Sequence, residues 1–235
     1  ASTLYAADSV LSCGESLDLT FGYDCYTLDS VLLDGVNQGV SQTLTVASNL
    51  ADRSVEAFFS MNTYTVSLET TTGGTIEVDG SLMVNCGDNR SFTIVPESCH
   101  SIDSVVLNGV NVGAVASYQI ENIRENQTIS AYFSLDIHTV SVTAGEGGTV
   151  TLDGSSEVSC GGSVGFTVTP EACYTIDSVV VNGMNLGNVI SYTIENITED
   201  QSVAAYFSRN VYAVISETVG NGTIVPEGVS ELVCG

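Results

Sequence analysis

Hydrophobic and polar residues alternate with a period of two through most of this chain, in runs rich in β-branched and aromatic side chains. The runs are Tyr64 to Glu69, Thr75 to Val78, Ser91 to Val95, Asp103 to Leu107, Tyr118 to Glu121 and Thr128 to Phe133. Such alternation is the signature of a strand with one buried face. Asp34-Gly35, Asn108-Gly109 and Asn182-Gly183 suit two-residue type I′ loops, which need positive φ at both central residues. Gly73-Gly74 and Gly147-Gly148 suit hairpin turns. No stretch keeps a helical period. The predicted unit is all-β, a small sandwich of about six or seven short strands.

The strands recur. YTVSLETTTGGTIEVDG starts at Tyr64, HTVSVTAGEGGTVTLDG at His138 and YAVISETVGNGTIVPEG at Tyr212, a period of about 74 residues. Downstream, SIDSVVLNGVNVGAVASYQIENIRENQTISAYFS from Ser101 answers TIDSVVVNGMNLGNVISYTIENITEDQSVAAYFS from Thr175, and a diverged copy begins at Thr27. This pattern predicts a tandem array: an incomplete first repeat over 1–61, a second over 62–135, a third over 136–209, and the opening hairpin of a fourth over 210–235. The expected joints at 60–63, 134–137 and 208–211 are short, which restricts flexing.

The strings G-x-S-x-x-F-T-V-x-P, then (Y/H)-x-I-D-S-V-x-x-(N/D)-G-V-x-(V/L)-G, then S-Y-x-I-x-N-I-x-x-x-x-(T/S)-(I/V)-x-A-x-F cover nearly the whole chain. They resemble the divergent InlB B-repeat of bacterial surface proteins, with cysteines such as Cys86 and Cys99 as a departure. The resemblance implies tandem β-modules in a long secreted or surface-attached protein, acting as spacer, adhesin or matrix component. It implies a location and an architecture, not a reaction.

Small modules bury a limited core and usually gain stability from a disulfide, a metal or a neighbour. The seven cysteines occupy two fixed positions of the repeat. They contain no C-x-x-C, and disulfides in an oxidising compartment are expected. Two registers fit. Pairing within repeats, the preferred one, joins Cys13 to Cys25, Cys86 to Cys99 and Cys160 to Cys173 and leaves Cys234 over. Pairing between repeats joins Cys25 to Cys86, Cys99 to Cys160 and Cys173 to Cys234 and leaves Cys13 over.

Charge removes several classes of partner. The chain has 28 acidic residues against four arginines, Arg53, Arg90, Arg124 and Arg209, for a net charge of −24. Nucleic acid and anionic membrane surfaces need cationic side chains, so neither is expected. No apolar run reaches the roughly 18 to 20 residues a spanning helix needs, so no membrane insertion is expected. His100 and His138 sit at different repeat positions, and the serines have no repeat-constant histidine as general base. Carboxylate pairs such as Glu121 with Glu125 and Glu195 with Glu199 read as solvated turns. No catalytic residue, cofactor or metal ligand set is assigned. Calcium is the one ion the acidic turns allow, around Glu195, Asn196, Glu199 and Asp200, or around Asp79, Asp153 and Glu227. Sequons at Asn89, Asn126, Asn196 and Asn221 admit glycosylation where the host performs it.

Two functions compete: a structural filament, fibre or sheath, and an adhesin segment binding a glycan or host protein. With tryptophan absent and most tyrosines at repeat-constant strand positions, no aromatic ligand patch stands out, and the structural reading is preferred. An extracellular or cell-surface location follows, and the start at Ala1 suggests signal removal or excision from a longer polypeptide. Aligning Cys13 with Cys86 sets Ala1 opposite Gly74, so the first repeat lacks the counterpart of 64–72 while 212–235 supplies a surplus one. Head-to-tail self-association is therefore expected, with Tyr212, Val214, Ile215, Val219 and Cys234 at an inter-subunit junction.

Overall fold

The computed structural model describes residue 12, residues 14–47 and residues 51–235. These described residues form two compact units, one of those up to 97 with 102–133 and one of residues 98–101 with 134–235.

In the first unit, the chain opens with β1 (Ser16–Thr20), β2 (Tyr26–Leu33), β3 (Val36–Gly39), β4 (Thr43–Ala47) and β5 (Val55–Met61). It continues through β6 (Thr63–Thr70), β7 (Gly74–Val78), β8 (Met83–Asn85), β9 (Arg90–Pro96), β10 (His100–Leu107), β11 (Val110–Gly113), β12 (Ser117–Ile120) and β13 (Gln127–Leu135). The second unit repeats that series as β14 (Ile137–Ala144), β15 (Gly148–Leu152), β16 (Glu157–Ser159), β17 (Gly162–Pro170), β18 (Tyr174–Val181), β19 (Met184–Gly187), β20 (Ser191–Ile197) and β21 (Gln201–Arg209). It ends with the hairpin of β22 (Val211–Ser216) and β23 (Gly228–Val233).

Each full series makes a five-stranded and a three-stranded sheet. The orders are β11-β10-β13-β6-β8 with β12-β9-β7, and β16-β14-β21-β18-β19 with β15-β17-β20. Residues from both sheets meet in one core: Val66, Phe92, Ile94, Val105, Ile120 and Ile129 in the first case, and Val140, Phe166, Val168, Val179, Ile194 and Val203 in the second. The protein is thus an all-β, strand-rich chain built as several small multi-sheet modules. Its opening strands form the smaller sheets β3-β2-β5 and β1-β4.

Within each series the first and last strands lie side by side in parallel, with Val66 opposite Gln127 and Val140 opposite Gln201. This pairing brings the start of a series against its end. The type I′ turns form as the sequence suggests, with φ of +48° at Asn108 and +82° at Gly109, and +49° and +80° at Asn182 and Gly183.

The double glycines do something other than the expected hairpin. β6 pairs with β8 and β13, whereas β7 pairs with β9 in the other sheet, so Gly73-Gly74 carries the chain from one sheet to the other. A Cβ on Gly74 would stand 2.3 Å from Cζ of Phe133, and one on Gly148 2.2 Å from Cε1 of Phe207, far closer than atoms can pack. The ring takes the space that any side chain would need, so the residue that changes sheets has none.

Candidate functional site at the repeated disulfide joint

A three-residue arrangement recurs once per repeat. Cys25 is bonded to Cys86, Cys99 to Cys160 and Cys173 to Cys234, with Cα atoms 5.1, 5.5 and 5.4 Å apart, inside the usual range for a bridge. This is the register between repeats, and it overturns the preferred pairing within them. Cys86 and Cys99 flank the seven-residue strand β9, which at ~3.3 Å per residue spans about 23 Å and holds the two sulfurs at opposite ends. Cys160 and Cys173 flank β17 in the same way. Cys13 lies outside the described residues, and its expected partner Cys25 is taken by Cys86.

One residue sits between the two half-cystines of each bridge. Asn62 donates its N–H to the Cys25 carbonyl at 2.9 Å and accepts the Cys86 N–H on its own carbonyl at 2.9 Å. Asp136 does the same between Cys99 and Cys160, at 2.9 and 2.9 Å, and Asn210 between Cys173 and Cys234, at 2.8 and 3.0 Å. The connection from β5 to β6, from β13 to β14 and from β21 to β22 is therefore a single residue whose backbone is fully paired. Side chains reinforce two of the three joints: the Thr27 hydroxyl donates to Asn62 Oδ1 at 2.5 Å and the Ser101 hydroxyl to Asp136 Oδ1 at 2.6 Å. The first cysteine of each bridge takes a left-handed backbone, with φ of +63° at Cys25, +64° at Cys99 and +73° at Cys173. Non-glycine residues rarely adopt that conformation, and here it turns the chain into β2, β10 or β18 beside the bridge.

Asn62, Asp136 and Asn210 carry no mark in the hydrophobic pattern, although each lies inside an expected joint at the 74-residue spacing. The first unit adds an ion pair, Arg124 Nη1 to Asp24 Oδ1 at 2.5 Å and to Oδ2 at 2.6 Å. Asp24, by accepting these bonds, raises the guanidinium pKa further above its ordinary value.

The acidic turns are built into the fold. Asp200 Oδ1 accepts the Thr139 N–H at 2.8 Å, and the Glu199 carbonyl accepts Gln201 Nε2 at 2.8 Å. Asn126, at the same repeat position as Asp200, accepts the Thr65 N–H at 2.9 Å, and Asn89 Oδ1 accepts the Asn122 N–H at 2.8 Å. Among the described residues no three of His, Cys, Asp and Glu converge on a point where a metal ion would sit.

At the expected junction, Tyr212, Val214 and Ile215 lie on β22, but the strand stops at Ser216 and Val219 is in the following loop. Cys234 is bonded to Cys173 of its own chain and does not cross to another.

Two-sheet modules with one recurring strand order, and three disulfides at recurring positions, define the class: a disulfide-containing β-repeat protein. Residues 138–211 match the Divergent InlB B-repeat domain, so the chain contains a divergent InlB B-repeat domain. Among solved structures, the Bacillus anthracis TIE protein is similar over 85% of this chain at 10% identity, with a TM-score of 0.34. This chain spans 44% of that protein's length. The central fibronectin-III array of RIM-binding protein is similar over 79% of this chain and 82% of its own, at 12% identity and a TM-score of 0.18. No curated protein matches the sequence.

Proposed function

We propose that the chain is a structural element of an extracellular filament, fibre or sheath. Its repeats, with the boundaries 1–61, 62–135, 136–209 and 210–235, continue head to tail from one copy to the next. In this reading β22 lies alongside β5 of the following copy, as β6 lies alongside β13 and β14 alongside β21.

One comparison supports it. Val66, Val140 and Val214 hold the same repeat position; the first two are 2% and 3% exposed, and Val214 is 48% exposed. What covers the first two is the parallel last strand of their series and the core behind it. Among the described residues β22 has only β23 beside it, and the sheet β3-β2-β5 ends at β5. Tyr212, on the same face of β22, and Leu232, opposite it on β23, extend the same exposed apolar surface. A two-stranded ribbon with an open apolar face is marginal alone, and a matching strand edge offers both backbone and side-chain partners.

Sedimentation and negative-stain microscopy of the oxidised chain test the reading. Concentration-dependent linear assemblies are expected, and Val214→Asp should return them to monomers with the far-ultraviolet circular dichroism unchanged. A chain that stays monomeric at every concentration, or assemblies indifferent to Val214→Asp, would overturn it.

A further inference from the structure

The bridge register has a mechanical meaning that does not depend on what covers β22. Following covalent bonds from Cys25 to Cys234, the shortest route does not run along the backbone. It crosses from Cys25 to Cys86 through the first bridge and follows the chain through β9 to Cys99. It then crosses to Cys160, follows the chain through β17 to Cys173 and crosses to Cys234. Each bridge bypasses a sequence separation of 61 residues.

We propose that the protein acts as an extension-limited tether, in which tension along the array is carried only by the segments 86–99 and 160–173. The three bypassed stretches hold the whole of both five-stranded sheets and the outer strands of the three-stranded ones, and they bear no end-to-end load. At ~3.4 Å per extended residue each bridge withholds about 200 Å of chain. Stretched to the limit, the path from Cys25 to Cys234 measures about 100 Å with the bridges closed and about 700 Å with them open.

The two loaded segments are the ones best placed to resist. β9 is the central strand of its sheet, paired with β7 along one edge from Gly74↔Pro96 to Val78↔Phe92 and with β12 along the other from Ser117↔Thr93 to Ile120↔Arg90. β17 is held in the same way between β15 and β20. Interstrand hydrogen bonds lie across the strand direction. Tension applied at the two ends of such a strand acts along a backbone that is already extended, so it pulls the strand taut and opens neither ladder. Phe92 and Ile94 on β9, and Val164, Phe166 and Val168 on β17, are buried in the cores and anchor the loaded strands there.

Single-molecule pulling of the full chain between terminal handles tests this. After complete unfolding, the oxidised chain should be shorter than the chain in strong reductant by about 600 Å, three bridges of about 200 Å each. The double variant Cys25→Ser with Cys86→Ser should recover about 200 Å of that difference. The length is read at high force on unfolded chain, so a loss of stability in the variant does not obscure it. Equal lengths in the two redox states, or a deficit of only about 45 Å per bridge as pairing within repeats would give, would overturn the proposal. Neither result bears on whether the chain assembles, which sedimentation reads separately.

Discussion

Asp34 and Arg53 form an ion pair at the position where the two later repeats put Asn108 beside Gln127 and Asn182 beside Gln201. In all three cases the first residue opens the type I′ turn, and its Oδ1 accepts a backbone N–H at 2.8 Å, from Ser54, Thr128 or Ser202. A neutral amide pair in two repeats is thus a charged pair in the other, with the same hydrogen-bonding duty. Exchanging one partner alone leaves a charge without its counterpart. Asp34→Asn or Arg53→Gln should each lower the stability of the first unit, and the double variant should recover most of the loss, with a coupling of about 0.5 to 1 kcal/mol. Thermal denaturation of the four chains measures it, and additive losses would show that the two side chains do not act as a pair.

The arginines make the bridge register readable by mass. Trypsin acting on denatured, unreduced protein cuts after Arg53, Arg90, Arg124 and Arg209. The observed bridges should yield two linked products, one of 1–53 with 54–90 and one of 91–124 with 125–209 and 210–235. Pairing within repeats would instead link 54–90 to 91–124 and release 210–235 free.

Asp200 should make part of the stability acid-sensitive. The Thr139 backbone N–H, helped by the Thr139 side chain, holds its carboxyl below the ordinary carboxylate range, and His138 adds a smaller pull in the same direction. A group with a depressed folded pKa stabilises above its unfolded pKa and loses that contribution as pH falls through the folded one. The apparent Tm of the native chain should therefore drop relative to that of Asp200→Asn as pH falls below about 4. The variant keeps an accepting oxygen, as Asn126 does for Thr65. A Tm difference that stays constant from about pH 7 to pH 2 would remove Asp200 as the source.

Three glycines at one repeat position give an internal control. Gly74→Ala and Gly148→Ala drive a methyl into Phe133 or Phe207 and should each cost about 1 to 3 kcal/mol by overpacking. Gly222 is the counterpart in the final hairpin, and a methyl placed there would meet no other group within 4 Å. Gly222→Ala should change the stability of the isolated chain by less than about 0.5 kcal/mol. Equal losses at all three would mean that backbone conformation, and not the ring, requires the glycine.

Much of this fold is visible in local pattern. Alternation marked β6, β7, β9, β10, β12 and β13 of the first full series, because each buries one face, and the Asn-Gly pairs marked the tight turns. The strands β8 and β11 escaped, β8 being only three residues long and β11 burying almost none of its four. The sheet change at Gly73-Gly74 was hidden for another reason: it depends on Phe133, which no local window contains. The parallel pairing of β6 with β13 likewise joins residues 61 positions apart, such as Val66 and Gln127. The bridge register was closer to hand. Ser91 to Val95 already read as a strand, and an extended strand between Cys86 and Cys99 keeps them too far apart to bond. Counting cysteines gave two answers, and strand length decides between them.

Proteolysis meets this bridge pattern in an uneven way. A cut at any peptide bond from Cys25 to Cys86, from Cys99 to Cys160 or from Cys173 to Cys234 leaves both products fastened by a cystine. Between Cys25 and Cys234, only a cut within 86–99 or 160–173 separates one end from the other. Those stretches hold β9 and β17, whose backbones are paired along both edges and are poor substrates until the sheet opens. Of the four arginines, Arg90 alone lies in such a stretch, and its guanidinium is bonded to the Asp79 carbonyl at 2.7 Å. A protein made this way can be nicked repeatedly in its exposed loops and still hold together what it connects.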